Sequence, residues 1–183
     1  ELAKVTLGSI TPRAYSKDEA ALSVAASILA GGKATRLYRA LVVEQKIASE
    51  VEALLDANEL ASVFDVGAVA ASGKSATELE RAVSAVLADL ARNGPSAAEL
   101  DRAKRRLLVE FLSSVQLLNG PGGEGGRAGM LQRYNHYLGD PGYLQKDYQR
   151  LVAVTAADVQ RVLRTHLAPH RRLVVLTEPK AKP

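Results

Sequence analysis

Cysteine and tryptophan are absent from this 183-residue sequence, and it holds a single methionine and two phenylalanines. Without cysteine there is no disulfide, no thiolate zinc site and no thiol nucleophile, although a cysteine-free domain is compatible with any compartment. No apolar run approaches the ~20 residues of a membrane-spanning helix. Nor is there an initiator methionine or a charged-then-apolar leader, so no signal peptide or lipid anchor is visible. The chain opens on ELAKVTLGSI, which already reads as a strand. That opening is expected of a segment of a longer protein, whose targeting signal lies elsewhere.

Aromatic residues are also scarce, at 4%. This matters for the positive charge, +4 with a sequence pI near 9.4. The most basic run, AKRRLL at 103–108, places Lys104, Arg105 and Arg106 on the polar side of a predicted helix. A nucleic-acid surface needs a broader basic stripe, stacking aromatics and a recognisable module, so a solvated helix face is the better reading and no nucleic-acid partner is expected. Residues 1–183 are read as one domain; a chain of this size buries roughly 70% of its unfolded surface and needs no staple.

Four stretches are short and rich in β-branched residues: VTLGSI near 5–10, SEVEALL near 49–55, VFDVGAVAA near 63–71 and RLVVLT near 172–177. They predict strands, and DANELAS between the middle two suits a hairpin loop. Four helix starts pair a hydroxyl with an acid three residues on: Ser16 with Glu19, Ser75 with Glu78, Ser96 with Glu99 and Thr155 with Asp158. In such a capping box the hydroxyl accepts from a first-turn amide, the acid reaches back, and negative charge meets the positive end of the helix dipole. The second helix carries Leu79, Ala82, Val83, Val86, Leu87 and Leu90 on one face and stops at Asn93, Gly94 and Pro95. The third carries Leu100, Ala103, Leu107, Phe111 and Val115 inward. Joined by a short turn, the two are expected to pack as an antiparallel pair on the sheet. The fold class is therefore α+β, helices on a largely antiparallel sheet.

NGPGGEGGRAG at 119–129 is too glycine-rich for a regular element and predicts a loop or a broken helix. Gly120, Gly122 and Gly125 match G-x-G-x-x-G in spacing only. A dinucleotide fingerprint follows a strand and opens a helix, whereas here a helix precedes it.

Chemical candidates are few. Of His136, His166 and His170, only the last two are close in sequence, with Pro169 between them and no glutamate. HxxEH is absent, so each histidine is expected in a surface or capping role and no metal is expected in this domain. No serine sits in G-x-S-x-G. Asp65 lies between Phe64 and Val66 and faces the wetter side of its strand. Glu44 and Glu50 come closest to a carboxylate pair, and ordinary surface charge accounts for both.

ILAGGKATRLYRALVVEQKIASEVEA, a strand hairpin, SAAELDRAKRRLLVEFL, then YLGDPGYLQKDYQRLVAVTAADVQRVLRTHLAP and a closing RRLVVLTEPK stand in an order that covers nearly the whole chain. This order resembles the C-terminal, non-metal domain of pitrilysin/insulinase-type zinc peptidases, the family that includes mitochondrial processing peptidase and the core proteins of the cytochrome bc1 complex. The resemblance implies a half-clamshell that closes a chamber and helps hold an extended peptide. Zinc is expected in an N-terminal domain of the parent, where HxxEH and a distal glutamate leave one position open for water. The implied partners are that zinc-binding domain, a homologous subunit and a peptide substrate.

Active members of the family carry an arginine and, seven residues on, a tyrosine that point into the chamber. On LVVEQKIAS these positions fall at Val42 and Ser49. Valine donates no hydrogen bond, and a serine hydroxyl reaches several ångströms less far than a phenol. Arg39, about one turn before Val42, differs in helical phase and reads as a surface residue. The resemblance thus implies a catalytically silent half whose partner supplies the missing pair. The alternative is a wholly inactive scaffold, like the core proteins of respiratory complexes. An independent basic module would show salt-sensitive nucleic-acid affinity instead. The Ala- and Arg-rich composition suggests a bacterial source, and a secreted bacterial parent would reside in the periplasm.

Overall fold

Strand β1 (Lys4–Thr11) alternates strictly, with Val5, Leu7, Ser9 and Thr11 buried and their neighbours turned the other way. It pairs antiparallel with β3 (Ser62–Ala70), where Phe64, Val66, Ala68 and Ala70 face the same core. β2 (Ala48–Asp56) and β4 (Arg172–Thr177) flank this pair, giving the order β2-β3-β1-β4 with every neighbour antiparallel. All four strands lie where the short β-branched stretches placed them, and residues 57–61 make the expected hairpin turn. The computed structural model describes residues 2–118 and 125–179.

Helices α1 (Glu19–Ala30), α2 (Ala76–Asn93) and α6 (Ala156–His166) cover one face of the sheet. α2 lays Leu79, Val83, Leu87 and Leu90 against it, each leucine contributing roughly 1.5–3 kcal/mol of hydrophobic stabilisation. α1 is apolar on nearly every side because it is enclosed by β2, α3, α5 and α6. The fold is α+β, as expected from the order of elements.

The second and third helices are not the antiparallel pair that was expected. α3 (Ala97–Gln116) packs on α1, α4 (Gly126–Leu138) and α5 (Leu144–Ala153), while α2 packs on the sheet and α6. The turn at Gly94, with φ of 71°, leads α3 out of the inner layer. Only Ala103 of α3 is fully buried, so this helix covers the back of α1 and not the sheet.

Three of the four expected caps form. Ser75 accepts from the amide of Glu78, and Ser96 with Glu99 and Thr155 with Asp158 make reciprocal boxes. The first does not: α1 starts at Glu19 behind Asp18, and the Ser16 hydroxyl is buried without a partner. Glu19 is drawn elsewhere, accepting from the Tyr15 amide and from Arg150 at 3.1 Å. Within the glycine-rich segment, residues 119–124, and with them Gly120 and Gly122, lie outside the described residues. The remainder is more regular than expected, since α4 already includes Gly126 to Gly129.

Tyr15, Tyr134, Tyr137 and Tyr143 meet at the corner formed by α4, α5 and the loop before α1. The Arg150 guanidinium lies 5.4 Å from the Tyr15 ring centre and binds Asp147, whose other oxygen accepts from the Tyr134 hydroxyl at 2.8 Å. Burial pushes the Tyr15 phenol up to about 12, and burial together with the Asp147 contact raises that of Tyr134 further. Tyr148 lies nearby against Phe111, the rings tilted and their centres 6.3 Å apart.

Candidate functional site

The segment RALVVEQKIASEV departs from a simple helix-to-strand step. Tyr38–Glu44 is a π-helix, whose amides reach five residues back, as from Gln45 to Ala40 at 3.0 Å. Such turns are rare and concentrate at functional positions. The chain then reverses through Lys46, at φ of 54°, and enters β2 through a bulge. Ala48 pairs with Ala70 and Glu50 with Val69, so Ser49 is the extra residue. A bulge of this kind turns a side chain away from the strand's own alternation.

Ser49 lines a cavity of about 360 Å³ with Tyr38, Glu50, Glu52, Gly67 and Lys4. Its hydroxyl turns back on the carbonyls of Val69 and Ala70, at 3.4 and 3.3 Å. Val42, the other position of the expected pair, is half-buried and packs against the hydrophobic core. It is not part of that cavity wall; Tyr38, four residues earlier, is. Its position at the head of the π-helix is the signal that could have drawn attention to it.

The cavity opens on the sheet face that, among the described residues, carries no helix. There Gly67 lies under Glu52, whose Oε1 would stand 2.4 Å from a Cβ at residue 67. Lys4 pairs with Glu52 at 3.4 Å across the sheet. Asp65 faces this side, opposite Phe64 and Val66, as its alternation indicated; burial first, then Glu52 and Asp56, hold its carboxyl above the usual range. Toward β1 and β4 the same face turns apolar, with Ile10, Leu173 and Val175 strongly exposed.

Glu44 and Glu50 are separated, because Glu44 pairs with Arg39 at 3.7 Å on the wall of another cavity. That cavity, about 590 Å³ between the π-helix, α2 and α3, is larger. Its Arg36 is fully engaged, donating to both oxygens of Glu99, to Asp89 and to the carbonyl of Gly94. Arg39 is exposed there and does not reach the Ser49 cavity.

The histidines are dispersed. His136 is exposed, 3.4 Å from Glu59. The expected surface or capping role fails for His166, which is buried and bonds the Asp18 carboxylate at 2.9 Å, tying the end of α6 to the start of α1. Arg161 stands 2.9 Å from the other Asp18 oxygen. Burial pushes this carboxyl up, but the His166 and Arg161 contacts outweigh it and hold it below the usual range. Among the described residues no three His, Asp or Glu side chains gather closely enough to hold a metal ion, and none fits the catalytic zinc of a peptidase. Among the described residues the Ser49 hydroxyl bonds only to backbone carbonyls and to no titratable side chain.

The model of the peptidase M16 inactive domain matches residues 1–107. The chain belongs to this family. No curated protein shows significant sequence similarity to it. Among solved structures, a protease from Helicobacter pylori superposes with a TM-score of 0.85 at 25% identity, over 97% of this chain and 41% of that one. The inactive peptidase domain of an assigned zinc protease from Bordetella parapertussis superposes with a TM-score of 0.81 at 25% identity, over 100% and 96% of the two chains. A protein assigned as a zinc protease from Bordetella pertussis gives 0.81 at 26% identity, over 97% and 94%. The M16 chain thus spans about two fifths of the Helicobacter protease. Its fold and its place as the non-metal domain agree with the resemblance carried by LYRALVVEQ, ELDRAK and VTAADVQRV. No helix among the described residues is long and apolar enough to cross a membrane.

Proposed function

We propose that this M16 domain is the catalytically silent half of a zinc metalloendopeptidase, closing the chamber and holding an extended peptide. The observation that carries this is the uncovered sheet face with the Ser49 cavity cut into it, in a chain whose family is the inactive peptidase domain. The zinc and the water it activates belong to the N-terminal domain of the parent, which the M16 domain faces across the chamber. A peptide gains backbone hydrogen bonds at a free strand edge and side-chain contacts on the adjacent face. Tyr38 supplies the aromatic contact on this wall, and Val42 and Ser49 leave the arginine and tyrosine roles to a homologous subunit. For a secreted bacterial parent the site of action is the periplasm.

The test is hydrolysis of a quenched, unstructured peptide with zinc added, by this chain alone and then with its N-terminal half and the homologous subunit. Turnover is expected only in the complete assembly, and there Tyr38→Ala should raise KM about threefold or more with kcat little changed, as loss of one aromatic contact implies. Turnover by the isolated chain would overturn the silent-half assignment. The substitutions at the pair, Val42 and Ser49, favour a second reading, a scaffold in which the fold serves assembly alone. Silence from the complete, zinc-loaded assembly would favour it.

A further inference from the structure

A smaller cavity, about 150 Å³, lies where α1 ends, the Gly31–Gly32 turn begins and the first half of α3 passes over both. It is on the helical side of the molecule, away from the bare sheet face. Lys33, Arg102 and Arg106 supply its charge, and Ser27 and Thr35 line it as well. Glu99 is also present, but both of its oxygens accept from Arg36. Glu110 takes the Nε of Arg106 at 2.8 Å, leaving the outer nitrogens of that guanidinium over the turn. A Cβ on Gly31 would meet the Ser27 carbonyl oxygen at 2.4 Å, and one of those nitrogens and the Ser27 hydroxyl oxygen at 2.8 and 2.9 Å, so the glycine is required by the backbone and leaves the guanidinium free to lie over the turn. That hydroxyl is buried and has no partner. Lys33 and Arg102 have no carboxylate within ion-pair distance among the described residues.

Neutralising the end of α1 does not account for so much charge. The last turn of α1 has no basic residue of its own, and its free carbonyls carry about half a negative charge. Set against Lys33, Arg102 and Arg106, that helix end, Glu110 and the one net negative charge of Glu99 and Asp89 around Arg36 still leave roughly half a positive charge without compensation. With ~30 Å³ per water, the space admits a tetrahedral oxyanion and one or two waters.

We propose that this cavity binds a tetrahedral oxyanion of the phosphate type, held by Lys33, Arg102 and Arg106 over the surface that Gly31 keeps clear. The cavity adjoins the 590 Å³ one, with which it shares Ala34, Glu99 and Arg102, so the oxyanion can be free phosphate or a phosphate borne on a larger molecule.

The test is titration of the whole chain with inorganic phosphate at pH 7, against sodium chloride at matched ionic strength, followed by amide NMR. Saturable shifts of Gly31, Gly32 and Lys33 are expected with phosphate and not with chloride. Arg102→Ala, at an exposed position, should weaken binding at least about fivefold, and Arg102→Lys should recover part of it as a point charge. A parallel titration with a phosphoserine peptide distinguishes the sources: tighter binding than phosphate assigns a phosphorylated ligand, and weaker binding assigns the free ion. Shifts that follow ionic strength alone, or a Lys33→Ala/Arg102→Ala double variant that binds phosphate as the parent does, would overturn the proposal.

Discussion

Replacing Arg36 with methionine removes the one guanidinium that holds the π-helix to the α2–α3 turn while keeping most of its volume. Arg36 donates to Glu99 at 2.7 and 2.9 Å, to Asp89 at 2.8 Å and to the Gly94 carbonyl at 2.9 Å. The Arg36 and Glu99 side chains are 18% and 22% exposed, so the pair is only partly screened by solvent. The Arg36 contact first, then the Ser96 groups against an opposing effect of burial, lower the Glu99 carboxyl from 4.5 to about 2. At ~1.4 kcal/mol per unit that is on the order of 3 kcal/mol, of which the Ser96 contacts would survive in the variant. A loss of about 2–3 kcal/mol at pH 7 is expected, or roughly 5–10 °C in Tm for a chain of this length. The pH dependence has a definite sign. A carboxyl depressed in the folded state stabilises fully above its unfolded value and loses that contribution as pH falls toward about 2. The gap between parent and variant should therefore shrink by roughly half between pH 7 and pH 3. Urea unfolding followed by far-UV circular dichroism at both pH values measures it. A loss below about 0.5 kcal/mol at pH 7, or a gap as wide at pH 3 as at pH 7, would refute the assignment of this stability to charge.

The caps supply an internal comparison: Ser96→Ala and Thr155→Ala should each cost about 1 kcal/mol, whereas Ser16→Ala should cost no more than a few tenths, since its hydroxyl caps nothing. Equal losses in urea unfolding at all three positions would contradict the described start of α1. Asp18→Asn should destabilise the domain by about 1–3 kcal/mol at neutral pH and flatten its loss of stability in acid, because the depressed Asp18 carboxyl contributes above its unfolded pKa and not below. Thermal melts from pH 7 down to pH 3 check both parts.

What the sequence disclosed divides along a physical line. Strand positions were legible because the four stretches are short and rich in β-branched residues, and three caps were legible because hydroxyl and acid lie three residues apart. Ser16 carries the same local pattern, yet its acid is claimed by Arg150 from 131 residues away, a competitor invisible to local reading. His166 was given a surface or capping role for the same reason, its partner Asp18 being 148 residues distant. The α2–α3 pair failed because both helices are amphipathic, and amphipathicity states that a face is buried without saying against what. At the candidate site, Ser49 was legible by alignment with the family pattern. Tyr38 was not, because its place beside Ser49 depends on a π-helix and a bulge that leave no periodic trace.

The gathering of tyrosines at one corner also settles what light will report. With no tryptophan in the chain, near-ultraviolet absorption and intrinsic fluorescence come from six tyrosines. Five of them, Tyr15, Tyr134, Tyr137, Tyr143 and Tyr148, sit around α4, α5 and the loop before α1. Tyrosine emission therefore follows the attachment of the last helices and is nearly blind to the sheet, whereas the far-ultraviolet signal follows the whole backbone. Tyr38 is the exception, since it lines the Ser49 cavity, and removing the other five would leave a single native tyrosine fluorophore there.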